Sequence, residues 1–253
     1  MESITSRKNP LITHIRKLCT DRSYRRQCGE FVGDGVKLLD EAVRWGAALT
    51  AVVCTEDVSL PALPDAVRVV QVPVDVMESV SPMKSPQGAL FVCEVPTRSL
   101  PEQLTGCRYL VLDGVQDPGN VGTIWRTADA LGADGVLLLD GCADPWSAKT
   151  VRSTMGACFR LPVYELTREQ LADRTQGSGL PLYATALLDD TVDLRAADLR
   201  RCAVVIGSEG RGVSREVLDL CDQTMKIPMR DRCESLNAAA AAAVVLWEMA
   251  RGD

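Results

Sequence analysis

The strongest constraint on the fold is a regular alternation of short apolar runs and helix-like segments in the second half of the 253-residue chain. Segments with helical spacing of apolar residues lie at 121–131, 147–155 and 236–251. Strands that alternate with helices of this length predict a parallel sheet with helices on both faces. The apolar runs with the character of buried strands fall at 108–113, 135–140, 181–187, 202–207 and 223–229.

The first hundred residues show a weaker form of the same alternation. Predicted strands lie at 30–33, 49–54, 68–72 and 89–94, and a predicted helix lies at 36–45. The stretch from Val95 to Pro101 has prolines near both ends, which is typical of a linker. A chain of this length has room for two modest domains. We therefore predict a smaller α/β domain over 1–98, followed by a larger α/β domain over 105–253.

The cysteine and histidine counts exclude several classes of site. The ten cysteines are scattered and no two are spaced as CxxC, which argues against zinc ribbons and thioredoxin-like redox sites. We expect them to be reduced and mostly buried, and we expect no metal. The single histidine, His14, removes most hydrolase mechanisms based on a Ser-His-Asp or Cys-His arrangement. It is expected on the surface or at the boundary of a helix.

Apolar stretches of the chain bear on location and assembly. Residues 1–17 lack the apolar core of a signal peptide. The most apolar stretch, from Ala238 to Trp247, is about half of the roughly 20 residues needed to cross a bilayer. We therefore expect a cytoplasmic protein without a membrane partner. That stretch carries no charge, so the last helix is predicted to be buried on all sides, in the core or, as we favour, in a homodimer.

Three polar clusters follow predicted strands, where open α/β sheets bind ligands. They lie at 113–126, 204–212 and 227–237. Each also has a purely structural explanation: a Pro-Gly turn brings Asn120 to a helix N-cap and leaves Arg126 in solvent, glycines around Glu209 permit a tight turn, and Ser235 is a capping residue type. The glycine spacing matches neither the dinucleotide-fold fingerprint nor the P-loop.

Taken together and in this order, the clusters resemble the three motifs of the SpoU/TrmH family of RNA ribose 2′-O-methyltransferases, within the SPOUT class. Motif one resembles Asn120-Val-Gly-Thr-Ile-Trp-Arg126, and motif two resembles Ile206-Gly-Ser-Glu209-Gly-Arg-Gly. Motif three resembles Ile227-Pro-Met, followed by Glu234-Ser-Leu-Asn237. The stretches 144–156 and 31–37 are also similar to the family, so the resemblance covers nearly the whole chain.

The resemblance implies a fold and a cofactor. The catalytic domain would be a parallel α/β sheet with a C-terminal trefoil knot, preceded by a substrate-binding domain. The family works as a homodimer and binds S-adenosylmethionine in the knot. The positions that match its cofactor contacts are Thr185, Gly207, Ile227 and Leu236.

The resemblance also implies a catalytic set for methyl transfer to a ribose 2′-hydroxyl. Arg126 matches the residue held responsible for activating the hydroxyl. Because a guanidinium remains protonated in proteins, we favour electrostatic stabilisation of a developing alkoxide over proton removal. Glu209 would orient or partly neutralise Arg126, and Asn120, Ser235 and Asn237 would place ribose or phosphate oxygens.

An RNA partner requires positive charge, whereas the net charge of the chain is −6. Residues 1–30 are the exception, with seven basic and three acidic side chains. Such a cluster is usually a solvated helix face, but the resemblance predicts that it grips the RNA backbone together with two residues of the 144–156 stretch. The predicted RNA-binding residues are Arg7, Lys8, Arg16, Lys17, Arg25, Arg26, Lys149 and Arg152.

One departure from the family pattern and several alternatives stay open. Asp231 stands where motif three usually has glycine, which bears on the loop conformation. Ribosomal RNA is the expected substrate, with transfer RNA as an alternative. Two further alternatives are a non-catalytic RNA-binding assembly factor of the same fold and a small-molecule nucleotide enzyme.

Overall fold

A computed structural model describes residues 2–83, 86–188, 190–230 and 235–251. The elements up to residue 105 are β1 (Glu2–Ser3), α1 (Pro10–Thr20), α2 (Arg22–Cys28), β2 (Glu30–Asp34), α3 (Val36–Arg44), β3 (Leu49–Cys54), β4 (Arg68–Gln71), α4 (Val74–Val80) and β5 (Ala89–Glu94). The later elements are β6 (Arg108–Asp113), α5 (Pro118–Ala130), β7 (Gly135–Leu138), α6 (Ala148–Thr154), α7 (Ala157–Arg160), β8 (Val163–Glu165), α8 (Arg168–Gly177), β9 (Leu182–Thr185), β10 (Val192–Asp193), β11 (Cys202–Gly207), α9 (Arg215–Leu218), β12 (Gln223–Lys226) and α10 (Ala238–Ala250). Among the helices in these ranges, none is both long and apolar enough to cross a bilayer.

The chain forms two compact units that do not follow chain order throughout. The first unit comprises residues 1–97 and 144–159, and the second comprises 98–143 and 160–253. The segment 144–159, which the sequence analysis assigned to the second domain, thus packs with the first unit. The predicted division at 98–105 by chain order stays a prediction.

The first unit is built on a mixed sheet with the strand order β1-β4-β3-β5-β2. The pairs of β4 with β1 and β3 are parallel, and those of β5 with β3 and β2 are antiparallel. Helix α1 buries Ile12, Ile15 and Leu18 in a core shared with Val53 and Val70 of the sheet. The basic N-terminal segment therefore contributes to the core of this unit through α1.

Aromatic packing and a buried ion pair explain why the segment 144–159 belongs to the first unit. The ring of Phe31 on β2 lies 4.9 Å from that of Trp146 and 6.3 Å from that of Phe159. The guanidinium of Arg25 on α2 donates to Oδ2 of Asp144 from Nη2 at 2.6 Å and from Nε at 2.9 Å. Both side chains of the pair are nearly buried.

The second unit contains a seven-stranded sheet with the order β10-β12-β9-β11-β6-β7-β8, in which every pair is parallel. Side chains of α8 and α9 share a core with one face of the sheet, and α10 packs against α5 and β11. This arrangement confirms the predicted α/β class with a parallel sheet flanked by helices. Strands β6 and β11 have the predicted bounds, whereas β7, β9 and β12 are shorter than predicted.

The prediction that Asn120 caps the motif-one helix is wrong. Helix α5 begins at Pro118, and its N-cap is Asp117, whose Oδ1 accepts the backbone N–H of Asn120 at 2.9 Å. Proline is favoured at the first position of a helix because it has no N–H to leave unpaired, and aspartate is a preferred cap. Asn120 is consequently the third residue of the helix.

Within the single chain, helix α10 is buried on one side only, so the predicted burial on all sides would need a second subunit. Its inner face presents Ala242, Val245 and Leu246 to the core. Trp247 is 66% exposed and Val244 is 40% exposed. Plain core burial therefore does not account for its uncharged outer face. The helix is capped by Asn237, so Ser235 does not cap it.

His14 is half-buried on α1 within a hydrogen-bond network. Its Nδ1 lies 2.9 Å from the Tyr24 hydroxyl, and its Nε2 lies 2.9 Å from the carboxylate of Glu30. Cys28 completes a group whose donor atoms are near enough to share a metal ion. Because both ring nitrogens of His14 already have hydrogen-bond partners, the network accounts for the position of the histidine without a metal.

Burial governs the chemistry of most described cysteines. Burial raises the pKa of the Cys142 thiol to about 11 and that of Cys202 to about 12. A thiol with such a pKa stays protonated near neutral pH and is a poor nucleophile. Cys28 and Cys107 are the exposed thiols among the described cysteines.

Candidate active site

A pocket of about 410 Å³ lies where neighbouring strands of the second unit end. Its lining includes residues at or just beyond the carboxyl ends of β9, β11 and β12 and the start of α10. This is the edge at which open α/β sheets bind ligands, and the volume suits a small molecule.

All four predicted cofactor residues line this pocket. Thr185 ends β9, and its hydroxyl donates to the carbonyl of Val205 at 3.0 Å, which fixes its orientation. Gly207 ends β11, and Ile227 directly follows β12. Leu236 precedes α10 and is 38% exposed, so an apolar side chain at the pocket is available to a ligand.

Gly207 is required by the loop that follows it. A Cβ atom at this position would lie 2.0 Å from the carbonyl carbon of Gly212 and 2.2 Å from the backbone nitrogen of Val213. The loop turns back on itself, with reciprocal backbone hydrogen bonds between Ser208 and Gly212 of 3.1 and 2.9 Å. A side chain at 207 would therefore force this loop, and with it one wall of the pocket, to move.

Polar residues of the three motifs meet beside the pocket. The amide nitrogen of Asn120 donates to Oε1 of Glu209, and its amide oxygen accepts from Nδ2 of Asn237 at 3.3 Å. Oδ1 of Asn237 accepts the backbone N–H groups of Ala239 and Ala240, so the cap of α10 sets the orientation of its amide. These bonds run from Asn237 to Asn120 and on to Glu209, and they hold the carboxylate of Glu209 at the pocket. Glu209 lines the pocket, and so does Ser235.

Arg126 lies apart from this cluster. It is exposed on α5, whose opposite face buries Ile124, Trp125 and Ala128. The described residues that line the pocket do not include Arg126. Six residues separate it from Asn120, which places the two side chains on different faces of the helix. Asp231 and Glu234 of motif three lie outside the described residues.

The structure brings all eight predicted RNA-binding residues into the first unit, because the segment 144–159 carries Lys149 and Arg152 there. Lys8, Lys17, Arg26 and Lys149 are exposed. Arg7 is exposed and bonds to Asp75 at 2.8 Å.

Other members of this set contribute to the interior of the first unit. Arg16 is half-buried and bonds to the carbonyl of Ser79 at 3.4 Å. Arg152 is half-buried near Asp34. Burial raises the pKa of the Asp34 carboxyl, and the positive charge of Arg152 offsets part of that rise.

The burial of Arg25 argues against its predicted contact with RNA. Arg25 is only 6% exposed, it is paired with Asp144, and it also donates to the carbonyl of Leu18 at 2.5 Å. Three of the five N–H donors of this guanidinium are thereby bonded inside the unit, and its burial keeps it from a phosphate in solution. No local pattern signals this pairing, because Asp144 is 119 residues away from Arg25 in the chain.

Sequence reasoning also missed several residues of the pocket. Leu187, Met225 and Met229 line it, and Asp117 fixes the helix that carries Asn120. Their positions within a few residues of the carboxyl ends of predicted strands are a signal that could have found the first three.

A parallel α/β sheet with a pocket at its carboxyl edge defines a ligand-binding or catalytic α/β domain. A family model described as the SpoU rRNA Methylase family matches residues 108–247, and one described as the MRM3-like substrate binding domain matches residues 9–90. The chain belongs to the SpoU rRNA methylase family, which confirms the resemblance.

The chain aligns over nearly its whole length with named relatives. The chain is 32% identical over 98% of its length to a 23S rRNA (guanosine(2553)-2'-O)-methyltransferase, RlmP, of Bacillus subtilis, and the match covers 99% of that protein. It is 30% identical over 98% of its length to a 23S rRNA (uridine(2479)-2'-O)-methyltransferase of Streptomyces viridochromogenes, with 91% of that protein covered. The crystal structure of an AdoMet-bound rRNA methyltransferase from Sinorhizobium meliloti is similar, with a TM-score of 0.87, 31% identity, and coverage of 99% of this chain and 97% of that one.

Proposed function

We propose that this protein transfers a methyl group from S-adenosylmethionine to a ribose 2′-hydroxyl of RNA, with ribosomal RNA as its substrate. The observation that carries the proposal is the chain of hydrogen bonds from Asn237 through Asn120 to Glu209, beside the pocket lined by Thr185, Gly207, Ile227 and Leu236. Polar residues of three separate motifs thereby converge on one small-molecule pocket. Two relatives are named as 23S rRNA 2'-O-methyltransferases, which supports the choice of substrate.

The pocket fits a nucleoside-containing methyl donor. Apolar side chains of Ile206, Met225 and Leu236 line it and would cover an adenine ring. Residues 207–210 and 212 of the glycine loop also line the pocket, so their backbone groups are available to the polar parts of a donor. When bound, the donor supplies an electrophilic methyl group, so the protein has mainly to position the acceptor and support its nucleophilicity.

Each catalytic residue then has one task. Arg126 would donate hydrogen bonds to the ribose 2′-oxygen or its neighbouring phosphate and stabilise the negative charge that develops on that oxygen while the hydroxyl proton passes to solvent water. Glu209, held by Asn120, orients or partly neutralises the guanidinium. Ser235 and Asn237 position ribose or phosphate oxygens at the mouth of the pocket.

Because Arg126 lies outside the pocket of its own chain, we place the complete site at the boundary of a homodimer. The exposed Trp247 and Val244 on α10 support this assembly, since an apolar helix face of this kind is suited to a second copy. We also propose that the catalytic domain contains the trefoil knot of the family and that the protein is cytoplasmic, because ribosomes are assembled there.

The test is the chemical identity of the product. Purified protein is incubated with methyl-labelled S-adenosylmethionine and either in vitro transcribed 23S rRNA or tRNA, and the RNA is digested to nucleosides for mass spectrometry. We expect one 2′-O-methylated nucleoside from the rRNA. Asn120→Ala should reduce its yield strongly, whereas Thr127→Ala on the same helix should not, because the Thr127 hydroxyl bonds to the carbonyl of Thr123 within the helix and does not line the described pocket.

The other outcomes separate the alternatives. Label in tRNA alone would identify a tRNA methyltransferase. Tight rRNA binding without label would indicate a non-catalytic assembly factor, and cofactor binding without RNA-dependent turnover would indicate a small-molecule enzyme. Label on a base rather than a ribose would contradict the proposed reaction.

A further inference from the structure

Asp113 is a nearly buried carboxylate that opens the 113–126 cluster but precedes the motif-one stretch 120–126 and has no place in the predicted catalytic set. It is the last residue of β6, it is 9% exposed, and it pairs in register with Gly207 on the neighbouring strand β11. Its Oδ2 accepts the backbone N–H of Ser214 at 2.6 Å. Such a bond between a carboxylate and a backbone amide is stronger than one between neutral groups.

The bond closes the glycine loop at its far end. The loop leaves β11 at Gly207, and five of its residues line the pocket: Gly207, Ser208, Glu209, Gly210 and Gly212. The β11 ladder holds its beginning, and Ser214, just before α9, forms its end. The Ser214 hydroxyl is buried with no hydrogen-bond partner among the described residues, and its contact with Asp113 is made through the backbone amide.

A loop with three glycines has many accessible conformations, and binding a ligand would have to order it unless the protein does so in advance. Asp113 supplies this order from outside the pocket. Without its acceptor, the Ser214 N–H would lose a charge-assisted bond, and the segment from Gly212 to Ser214 would be free to move away from β6.

We propose that Asp113 is a positioning residue for the methyl donor, which holds the glycine loop in the conformation that binds S-adenosylmethionine. This inference rests on the proposed function, since it concerns the affinity of that same pocket. Loss of the Asp113 carboxylate should therefore lower the affinity for the donor and leave the affinity for RNA unchanged.

The test compares donor and RNA binding of the full-length wild-type and variant proteins. Asp113→Ala should weaken S-adenosylmethionine binding by about 10- to 100-fold in calorimetry, the range expected for a lost hydrogen bond to a charged group. The KM for the donor should rise accordingly, while RNA affinity and kcat at saturating donor stay near wild type. Asp113→Asn retains an acceptor and should restore most of the donor affinity.

The chain offers a matched control at the other end of the same strand. Asp134 accepts the backbone N–H groups of Cys107 and Arg108 at 2.7 and 2.8 Å, the same chemistry at the start of β6. Asp134→Ala should lower thermal stability without changing donor affinity. If it weakens donor binding as much as Asp113→Ala does, the role is merely structural and the inference is wrong.

A second pair of variants tests the donor side of the bond. Ser214→Ala keeps the backbone N–H and should bind the donor like wild type. Ser214→Pro removes that N–H at a residue whose φ of −65° suits proline, so it should weaken donor binding to the extent of Asp113→Ala. The double variant with Asp113→Ala and Ser214→Pro should bind the donor about as weakly as either single variant, because both substitutions remove the same bond.

Two results would overturn the inference, and they have different meanings. Wild-type donor affinity in folded Asp113→Ala would refute the positioning role alone. Failure of the wild-type protein to bind S-adenosylmethionine would refute the proposed function and this inference with it. Should Asp113→Ala not fold, Ser214→Pro gives the decisive comparison with Ser214→Ala.

Discussion

The two predicted binding sets, four cofactor residues and eight RNA-binding residues, lie in different units. The cofactor set gathers at one pocket because each member sits at or near the carboxyl end of a parallel strand or at the start of a helix, and the sheet aligns these ends. The eight basic residues all lie in the first unit, but they differ in exposure, since Arg25 is buried and Arg16 and Arg152 are half-buried. Position in a regular sheet therefore predicted a common location for its residues, whereas charge did not predict a common exposure.

Among the substitutions that test this comparison, Arg25→Ala is expected to have the largest effect, a loss of stability. Removing one partner of a nearly buried ion pair leaves Asp144 uncompensated, so the free energy of unfolding should fall by about 3–5 kcal/mol. Arg26→Ala, its exposed neighbour, should change it by no more than about 0.5 kcal/mol. Urea denaturation followed by circular dichroism measures both. Equal stabilities would mean that Arg25 is a surface cation after all, and the predicted RNA role would return.

Arg126→Ala tests whether an exposed arginine can belong to the site. Loss of a group that stabilises developing charge should reduce methyl transfer by about 100- to 1,000-fold and leave donor affinity largely intact. Arg215→Ala, an exposed helix arginine that pairs with Asp219, serves as the control. Filter assays of methyl-labelled RNA give the rates, and near-normal turnover of Arg126→Ala would exclude Arg126 from catalysis.

Gly207→Ala probes the close approach within the glycine loop. The added Cβ overlaps backbone atoms, which cannot move as a flexible side chain can, so donor binding should weaken by about 10- to 100-fold, in line with the cost of overpacking. Gly177→Ala at the end of α8 has open space around the new Cβ and should leave donor binding unchanged. Isothermal titration with S-adenosylmethionine distinguishes them. Normal affinity in Gly207→Ala would show that the loop does not shape the donor site.

Replacing Lys8, Lys17 and Lys149 by alanine has the smallest expected effect. These three exposed cations should reduce the slope of log affinity against log salt by about 2 in total, since each phosphate contact contributes about 0.7 to 0.9. RNA filter binding between low and moderate salt measures the slope. Deleting residues 1–28 is not an equivalent test, because α1 supplies Ile12, Ile15 and Leu18 to the core. An unchanged slope would place the RNA surface elsewhere.

The success of sequence reasoning depended on how local the determining contacts are. Strands β3, β5, β6 and β11 have their predicted bounds because a buried strand is encoded in its own apolar run. The placement of 144–159 with the first unit depends on Phe31 and Arg25, more than a hundred residues away, and no local pattern contains that information.

The candidate site shows the same limit. Glu209 and Asn120 were identified as site residues, but their hydrogen bond spans 89 residues. The role of Asp117 as a cap was open to sequence reasoning, because proline at the first helical position signals it, yet Asn120 was given that place instead.

The central claim, that the second unit binds the methyl donor and that the exposed lysines of the first unit add affinity for RNA, is tested most directly by measuring each affinity in the variant made for the other. Donor affinity of the triple lysine variant and RNA affinity of Gly207→Ala are measured on the full-length protein. The account predicts wild-type values in both cases. A donor affinity lowered by the lysine substitutions, or an RNA affinity lowered by Gly207→Ala, by about 10-fold or more would contradict the separation of the two sites.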